Sequence, residues 1–169
     1  MVSFPFFDDS DATVADFEKE LILLPEWGSS NWNKLLEITQ TQMYSSGDVV
    51  VRAGSTERCL YIVAFGTLTL LINRKKRLLD GLNRTHKSAL ITSITSGSVI
   101  NEQTFLDGKP SPATIQAVTE CQLLYLNADS FAQFTVRHPE LACAILSDLG
   151  RLLSLQIRRM ASLLAYYSE

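Results

Sequence analysis

The chain has 169 residues, of which 46% are hydrophobic and 20% charged, and its formal net charge is −3. This composition is typical of one globular domain and excludes a disordered chain. The slight acidic excess argues against a protein that binds nucleic acid over a broad basic surface. No apolar run approaches the roughly 18 residues that a membrane-spanning helix needs, so we expect no transmembrane segment.

The cysteines and the N-terminus both indicate in which cellular compartment the protein lies. Cys59, Cys121 and Cys143 have no C-x-x-C spacing, are odd in number and each lie in an apolar stretch. We therefore expect three buried free thiols rather than a bridged or reactive cysteine. The first twelve residues lack the positive start and apolar centre of a secretion signal. These features predict a cytoplasmic protein, because thiols stay reduced there.

Two helices are predicted before the first strand. Residues 13–24 have a helical pattern that Thr13 can cap, with acidic residues in the first turn and Pro25 at the end. Residues 31–37 predict a second, shorter helix. We therefore expect residues 1–37 to form a helical N-terminal extension.

From residue 38 the pattern changes to alternating and β-branched runs, which favour strands. The predicted strand runs are 38–44, 49–53, 59–65, 67–73, 89–95, 113–119 and 121–127. Because no helices intervene to make crossovers, the fold class expected is mainly β with flanking helices. The expected architecture is a jelly roll, or double-stranded β-helix, over residues 38–128, followed by a long C-terminal helix.

Residues 73–88 are polar and basic, and they predict a long hairpin connection. Four consecutive basic residues, Arg74, Lys75, Lys76 and Arg77, lie within it. One interpretation is a solvated loop. The other is a contact surface for an acidic partner or for anionic lipid headgroups, and four charges do not decide between them.

The strand pattern is interrupted at GSVINEQTFLDGKPSPATI, residues 97–115. One acid, Glu102, a single helical turn and a proline-containing loop separate two strand runs. The start of a short helix presents unpaired N–H groups and a partial positive charge, which suit an anion. A helix start of this kind can therefore hold an anion.

The last part of the chain, residues 129–169, is predicted to be helical. Asn127 or Asp129 can cap a first helix, and Pro139 begins a second that runs toward residue 167. The second helix carries an a/d pattern with Leu146, Leu153, Met160 and Tyr167 in one set and Ala142, Leu149, Gln156 and Leu163 in the other. A further face, with Ile145, Leu152 and Leu155, is expected to pack on the roll. The seam predicts either a homodimer or a contact with the N-terminal helix.

The order of these elements resembles the cyclic nucleotide-binding domain of catabolite-activator-type regulators, protein kinase A regulatory subunits and gated ion channels. The resemblance covers roughly residues 36–160. SSGDVVVRAGSTERCLYIVAFGTLTLLI resembles the opening strands of that family, and GSVINEQTFLDGKPSPATIQAV resembles its phosphate-binding cassette. HPELACAILSDLGRLL is similar to the entry into its C-terminal helix.

This resemblance implies a regulatory module that binds cyclic AMP or cyclic GMP and needs no metal. In such a module Glu102 would accept a hydrogen bond from the ribose 2′-hydroxyl. The C-terminal helix would close over the base near Arg151, Leu152 and Ser154. The cassette residues that the resemblance places against phosphate and ribose are Asn101, Glu102, Gln103, Thr104, Ser111, Pro112, Ala113 and Thr114.

Three positions depart from the family pattern. Asn101 stands where the family has Gly, Ser111 where it has the phosphate-pairing Arg, and Pro112 removes a backbone N–H. Lys109 is close enough to offer a charge, but an ammonium does not reproduce the bidentate guanidinium. We therefore expect weak or absent binding of cyclic nucleotides.

Other functions remain as alternatives. A roll without ligand can serve as a dimerisation or protein-interaction module, alone or attached to other domains. Regulation of transcription needs a helix-turn-helix after the long helix, so we expect no DNA binding by this chain alone. An enzyme is not expected, because His86 and His138 are the only histidines and no catalytic triad or phosphate loop is present.

Overall fold

The computed structural model describes residues 29–75 and 85–166. The helix predicted at residues 13–24 lies outside these residues. The described elements, in chain order, are α1 (Ser29–Leu36), β1 (Gln40–Tyr44), β2 (Val49–Val51), β3 (Cys59–Phe65), β4 (Leu68–Lys75), β5 (Thr85–Ile94), β6 (Val99–Ile100), α2 (Glu102–Asp107), β7 (Thr114–Ala117), β8 (Cys121–Asn127), α3 (Ala128–Arg137) and α4 (Pro139–Tyr166).

The strands form two four-stranded antiparallel sheets. The first sheet has the order β1-β8-β3-β6, and the second has the order β2-β7-β4-β5. Strands that are distant in sequence are neighbours in both sheets, as in β1 with β8 and β4 with β7. This arrangement, followed by a long helix, confirms the predicted mainly β roll with flanking helices.

Strand β3 has apolar residues on both faces, and it divides the core in two. Leu60 and Ile62 point to one face of the first sheet, while Cys59, Tyr61 and Val63 point to the other, as the two-residue period of a strand requires. The first group joins the helix-side core, which contains Leu35, Leu60, Ile62, Val99, Phe105, Leu124, Leu126, Phe131, Phe134, Ala142, Ile145, Leu149 and Leu152. The second joins the roll core, which contains Val51, Cys59, Tyr61, Val63, Leu68, Ile100, Ile115, Ala117, Cys121 and Leu123.

The connection predicted over residues 73–88 is shorter than expected. Strand β4 continues to Lys75, and β5 begins at Thr85, with Arg74 paired to His86. Polar side chains at these positions do not interrupt a strand, because the ladder is made by backbone groups. The prediction of a loop was therefore wrong at both ends of this stretch.

The C-terminal helices begin as predicted. The Asn127 side chain caps α3 by accepting a hydrogen bond from the Ser130 N–H at 2.7 Å, and α4 begins at Pro139. The prediction for the cysteines was wrong at one position. Cys59 and Cys121 are buried free thiols, but Cys143 is exposed because its neighbour Ala142 faces the core.

The predicted seam of α4 also needs correction. Ala142 and Leu149 are 2% and 0% exposed and pack in the helix-side core, so these two positions are not free to meet a partner chain. Leu155, which was expected to pack on the roll, is 41% exposed. The inward face instead follows the spacing of Ala142, Ile145, Leu149 and Leu152, which is the stripe of an amphipathic helix on a sheet.

Candidate ligand-binding site

The interruption at residues 97–115 folds as the short helix α2 followed by a loop. Asn101 precedes the helix in the left-handed conformation, with φ 66° and ψ 20°, and Gly108 ends it with φ 68°. Outside glycine, Asn is among the residues that best tolerate this conformation. The structure thus gives a physical reason why Asn101 can stand where the family has Gly.

The side chain of Asn101 joins the cassette to β3. Its amide Nδ2 donates to the Cys59 carbonyl at 2.7 Å and more weakly to the Glu57 carbonyl at 3.4 Å. The residue is 9% exposed, and its Oδ1 is buried with no hydrogen-bond partner among the described residues. A glycine has no side chain to make this contact, so the join depends on Asn at this position.

The other predicted residues of α2 divide between interior and surface. Glu102 is 6% exposed, so the acid at the start of the helix is buried rather than solvated. Thr104 is buried, and its hydroxyl has no partner within the described part of the chain. Gln103 is exposed. The helix therefore offers one buried carboxylate and one buried hydroxyl to the interior.

Arg58 holds the C-terminal end of α2. Its guanidinium donates two hydrogen bonds to the Phe105 carbonyl, from Nε at 3.2 Å and from an Nη at 3.0 Å. These bonds satisfy a carbonyl that the end of a short helix leaves unpaired. No local pattern in the sequence indicates this role, because 47 residues separate the two partners.

The cassette loop is hydrogen-bonded to the turn between β2 and β3. The Ser111 N–H donates to the Ser55 carbonyl and the Gly54 N–H donates to the Ser111 carbonyl, each at 2.8 Å. The Ala53 N–H donates to the Thr114 hydroxyl at 3.1 Å. These three bonds fix the loop against the turn.

The same bonds occupy donors that an anion would need. Ser111 is 7% exposed, its N–H is bonded to Ser55, and its hydroxyl donates to the Ala113 carbonyl at 3.0 Å. Pro112 has no N–H to offer. At the positions where the family pairs with phosphate, this loop therefore pairs with itself and with the neighbouring turn.

A half-open cavity of about 420 Å³ lies beside the cassette, at the surface of the roll. It is lined by Val49, Val50, Val51, Arg52, Ala53, Ser55, Glu57, Cys59, Tyr61 and Asn101. Of the predicted cassette residues only Asn101 is among them. The wall combines the apolar side of β2 with a polar rim, the usual character of a small-molecule site.

Two ionisable groups in the wall are neutral at pH 7. Burial raises the pKa of the Tyr61 phenol, and its hydrogen bond with Tyr44 raises the pKa further. Burial, followed by the nearby Glu57 carboxylate, raises the pKa of the Cys59 thiol. The charged residues that line the cavity are therefore Arg52 and Glu57, one of each sign.

Glu57 also anchors a tyrosine at this end of the roll. The Tyr125 hydroxyl donates to Glu57 Oε1 at 3.0 Å, and the rings of Tyr125 and Tyr61 meet edge to face at 5.4 Å. Burial and then this hydrogen bond raise the pKa of Tyr125 to about 12. The contact gives one carboxylate oxygen a fixed partner and so helps to orient the acid.

The residues predicted to meet a base lie elsewhere. Leu152 is 3% exposed and packs in the helix-side core. Arg151 forms a salt bridge with Asp148, and the Ser154 hydroxyl donates to the Gly150 carbonyl at 2.9 Å. None of the three lines the cavity, so a role over the ligand requires α4 to move.

An antiparallel roll with a short helical cassette and a long C-terminal helix is the architecture of the cyclic nucleotide-binding domains. The sequence profile of the cyclic nucleotide-binding domain family matches residues 41–138. The chain belongs to this family.

Three known proteins illustrate the likeness. The catabolite activator protein of Thermus thermophilus superposes with a TM-score of 0.68 at 23% identity, over 88% of this chain and 63% of that one. A cyclic nucleotide-binding domain from Methylobacillus flagellatus KT gives 0.67 at 19% identity, over 83% and 79%. The HTH-type transcriptional regulator Cmr of Mycobacterium tuberculosis is 27% identical over 130 residues, 76% of this chain and 49% of that protein.

The chain spans 9% to 49% of the length of the curated relatives it matches. Among the described residues, no helix combines the length and the apolar character that crossing a bilayer requires. Nor do residues 29–75 and 85–166 contain three or more His, Cys, Asp or Glu side chains grouped to hold a metal ion.

Proposed function

We propose that this chain is a regulatory sensor module whose roll binds a cyclic nucleotide, cyclic AMP or cyclic GMP, weakly and passes the signal to its C-terminal helix. The proposal depends on one observation, the 420 Å³ cavity bounded by β2, β3 and Asn101. A roll that had lost all ligands could fill this space with larger side chains, whereas Val49, Val51 and Ser55 leave it open.

Weak binding follows from the cassette loop. A hydrogen bond to a charged group contributes about 1.5–3 kcal/mol, so the missing guanidinium at Ser111 lowers affinity on the order of tenfold to a hundredfold. The internal hydrogen bonds of Ser111 add to this loss, because they must break before the loop can donate to a phosphate.

Calorimetric titration of the whole chain with cyclic AMP and cyclic GMP tests the proposal. We expect a dissociation constant above roughly 1 μM for the better ligand, from the loss of the clamp. A submicromolar constant would show that the departures at 111 and 112 do not matter. If neither cyclic AMP nor cyclic GMP gives a binding signal at millimolar concentration, the sensor function is rejected.

The second candidate is a degenerate roll that no longer binds cyclic nucleotide and serves as a dimerisation or protein-interaction module. The self-bonded cassette loop favours it, as do the exposed apolar side chains of α4, Leu146, Leu155 and Ile157. Light scattering on the chain with and without residues 150–169 separates the candidates, because the platform function requires an assembly that the truncation abolishes.

The remaining parts of the proposal concern organisation. We assign residues 1–37 to a helical extension, 38–128 to the roll and 129–169 to the lid or dimer helices. We further propose a non-catalytic, cytoplasmic protein without a bound metal, which binds no DNA by itself and acts on another domain or a protein partner. Activity of a partner with and without this chain is the measurement that tests the regulatory role.

A further inference from the structure

An anion that binds in this cavity needs a cation beside it. Two basic residues near the cassette, Arg58 and Lys109, already bond to other protein groups. Arg58 donates to the Phe105 and Leu106 carbonyls at the end of α2. Lys109 lies 3.8 Å from Asp107 on the surface. Neither of these cations lines the cavity.

Arg52 does line it. It follows β2 directly and precedes the turn whose Ala53 and Gly54 amides are hydrogen-bonded to the cassette loop. Its guanidinium has no hydrogen bond or ion pair with any residue whose side chain the structure describes. A guanidinium beside the cassette that none of these residues engages is available to a ligand, and its planar fork suits a phosphate.

We infer that Arg52 is the anion-binding residue of this cavity, so that the phosphate is held from β2 rather than from the cassette loop. The inference rests on the proposed function and names the residue and ligand class for the same site. It differs from the family pattern at Ser111, where the resemblance would place the contact.

The charges of the wall also select the ligand. Arg52 and Glu57 are the charged lining residues, and they sum to zero. A phosphodiester carries one negative charge and needs one cation, whereas a phosphate monoester carries about 1.5–2 charges at pH 7. The Glu57 carboxylate repels the extra charge and can accept a hydrogen bond from an N–H donor. The wall therefore favours a singly charged phosphodiester over the corresponding monoester.

The test is calorimetry with cyclic AMP, cyclic GMP and 5′-AMP on four forms of the full chain: wild type, Arg52→Gln, Arg52→Lys and the matched control Lys109→Gln. Arg52→Gln should weaken cyclic nucleotide binding about tenfold or more, and Arg52→Lys less. Lys109→Gln should leave it unchanged. Circular dichroism checks that each variant is folded. We expect all of them to fold, because the side chains of Arg52 and Lys109 are exposed.

Two further measurements test the roles of Arg52 and Glu57 separately. Raising the salt concentration should weaken binding to wild type more than to Arg52→Gln, because a single ion pair is screened. Glu57→Gln should narrow the preference for cyclic AMP over 5′-AMP, because it removes the repelling charge.

Wild-type binding that Arg52→Gln leaves intact would overturn the role of Arg52 while the sensor function stands. A preference for 5′-AMP in the wild type would overturn the ligand class. Absence of any binding to the wild type at millimolar nucleotide would reject both the proposed function and this inference.

Discussion

The two faces of β3 have different surroundings. On the helix side, Leu60 and Ile62 meet a continuous apolar core in which Phe134, Ile145 and Leu149 are 2%, 1% and 0% exposed. On the roll side, Cys59 and Tyr61 border an open cavity with polar groups in its wall.

The comparison separates stability from binding. Close packing on one face holds α3 and α4 against the first sheet, whereas the opposite face borders the cavity in which we propose that a ligand binds. A substitution on the helix side should therefore change the free energy of unfolding, and one on the cavity side should change affinity.

The largest expected effect is on the helix side. Phe134→Ala removes a fully buried ring that stacks near Phe131 at 6.3 Å between centroids. We expect a loss of about 3–5 kcal/mol in the free energy of unfolding. Urea denaturation measures it. Val136→Ala, at a position 83% exposed, is the control, and equal losses in the two variants would contradict the division between core and surface.

The next effect is on affinity at the cassette. Ser111→Arg restores the guanidinium that the family has. If the cassette loop faces the ligand, cyclic AMP binding tightens about tenfold to a hundredfold, whereas a phosphate held by Arg52 alone leaves the affinity unchanged. Ser111→Lys is the matched control, with a smaller gain because an ammonium lacks the bidentate fork. Thermal unfolding confirms that each variant is folded. A folded Ser111→Arg protein that binds no better than wild type would show that the loop does not face the ligand.

Arg58 contributes to stability at the cassette. It holds the end of α2 by hydrogen bonds but does not line the cavity. Arg58→Met removes both hydrogen bonds to the Phe105 carbonyl, and we expect a loss of about 1–2 kcal/mol in stability. Hydrogen exchange should show faster opening of α2. Arg137→Met, whose guanidinium reaches only Gln133 at 3.4 Å on the surface, should change stability by less than about 0.5 kcal/mol. Equal changes would argue against a capping role for Arg58.

The smallest expected effect is on the stability of α4, the long C-terminal helix. Gly150 lies inside α4, and a Cβ there would meet nothing within 4 Å. Gly150→Ala should therefore stabilise the chain by about 0.5–1 kcal/mol. The reverse change at an exposed position of the same helix, Ala161→Gly, should destabilise it by a similar amount. Urea denaturation measures both changes, and a Gly150→Ala protein no more stable than wild type would contradict the expectation.

Local sequence patterns predicted the fold well where local chemistry decides. The β-branched run CLYIVAF forms β3 with the predicted bounds, and Asn127 and Pro139 mark the helix starts. Turn and cap chemistry acts over a few residues, so one sequence suffices to find it.

The remaining features depend on contacts between distant segments. Arg58 meets Phe105 across 47 residues, and the bonds between residues 53–55 and 111–114 join two loops with no shared pattern. The exposure of Cys143 depends on which face of α4 meets the roll. A heptad pattern does not reveal that face, because two apolar stripes compete for the same core.

The family resemblance located the cassette but not its internal bonding. It placed ligand contacts at Ser111 and Thr114 by position, whereas in the structure both hydroxyls bond to protein groups. Asn101 is the one predicted cassette residue in the cavity wall, at a position where the sequence departs from the family pattern. The site roles of these residues remain predictions.

The most direct test of the account follows the backbone amide signals of the full chain by NMR while cyclic AMP is added. If the ligand occupies the cavity, the signals of Val49, Tyr61 and Asn101 shift first and saturate together, with a dissociation constant in the micromolar range or weaker. Shifts that leave these three amides unchanged, or none at all at saturating nucleotide, would contradict the claim that this roll keeps a binding site.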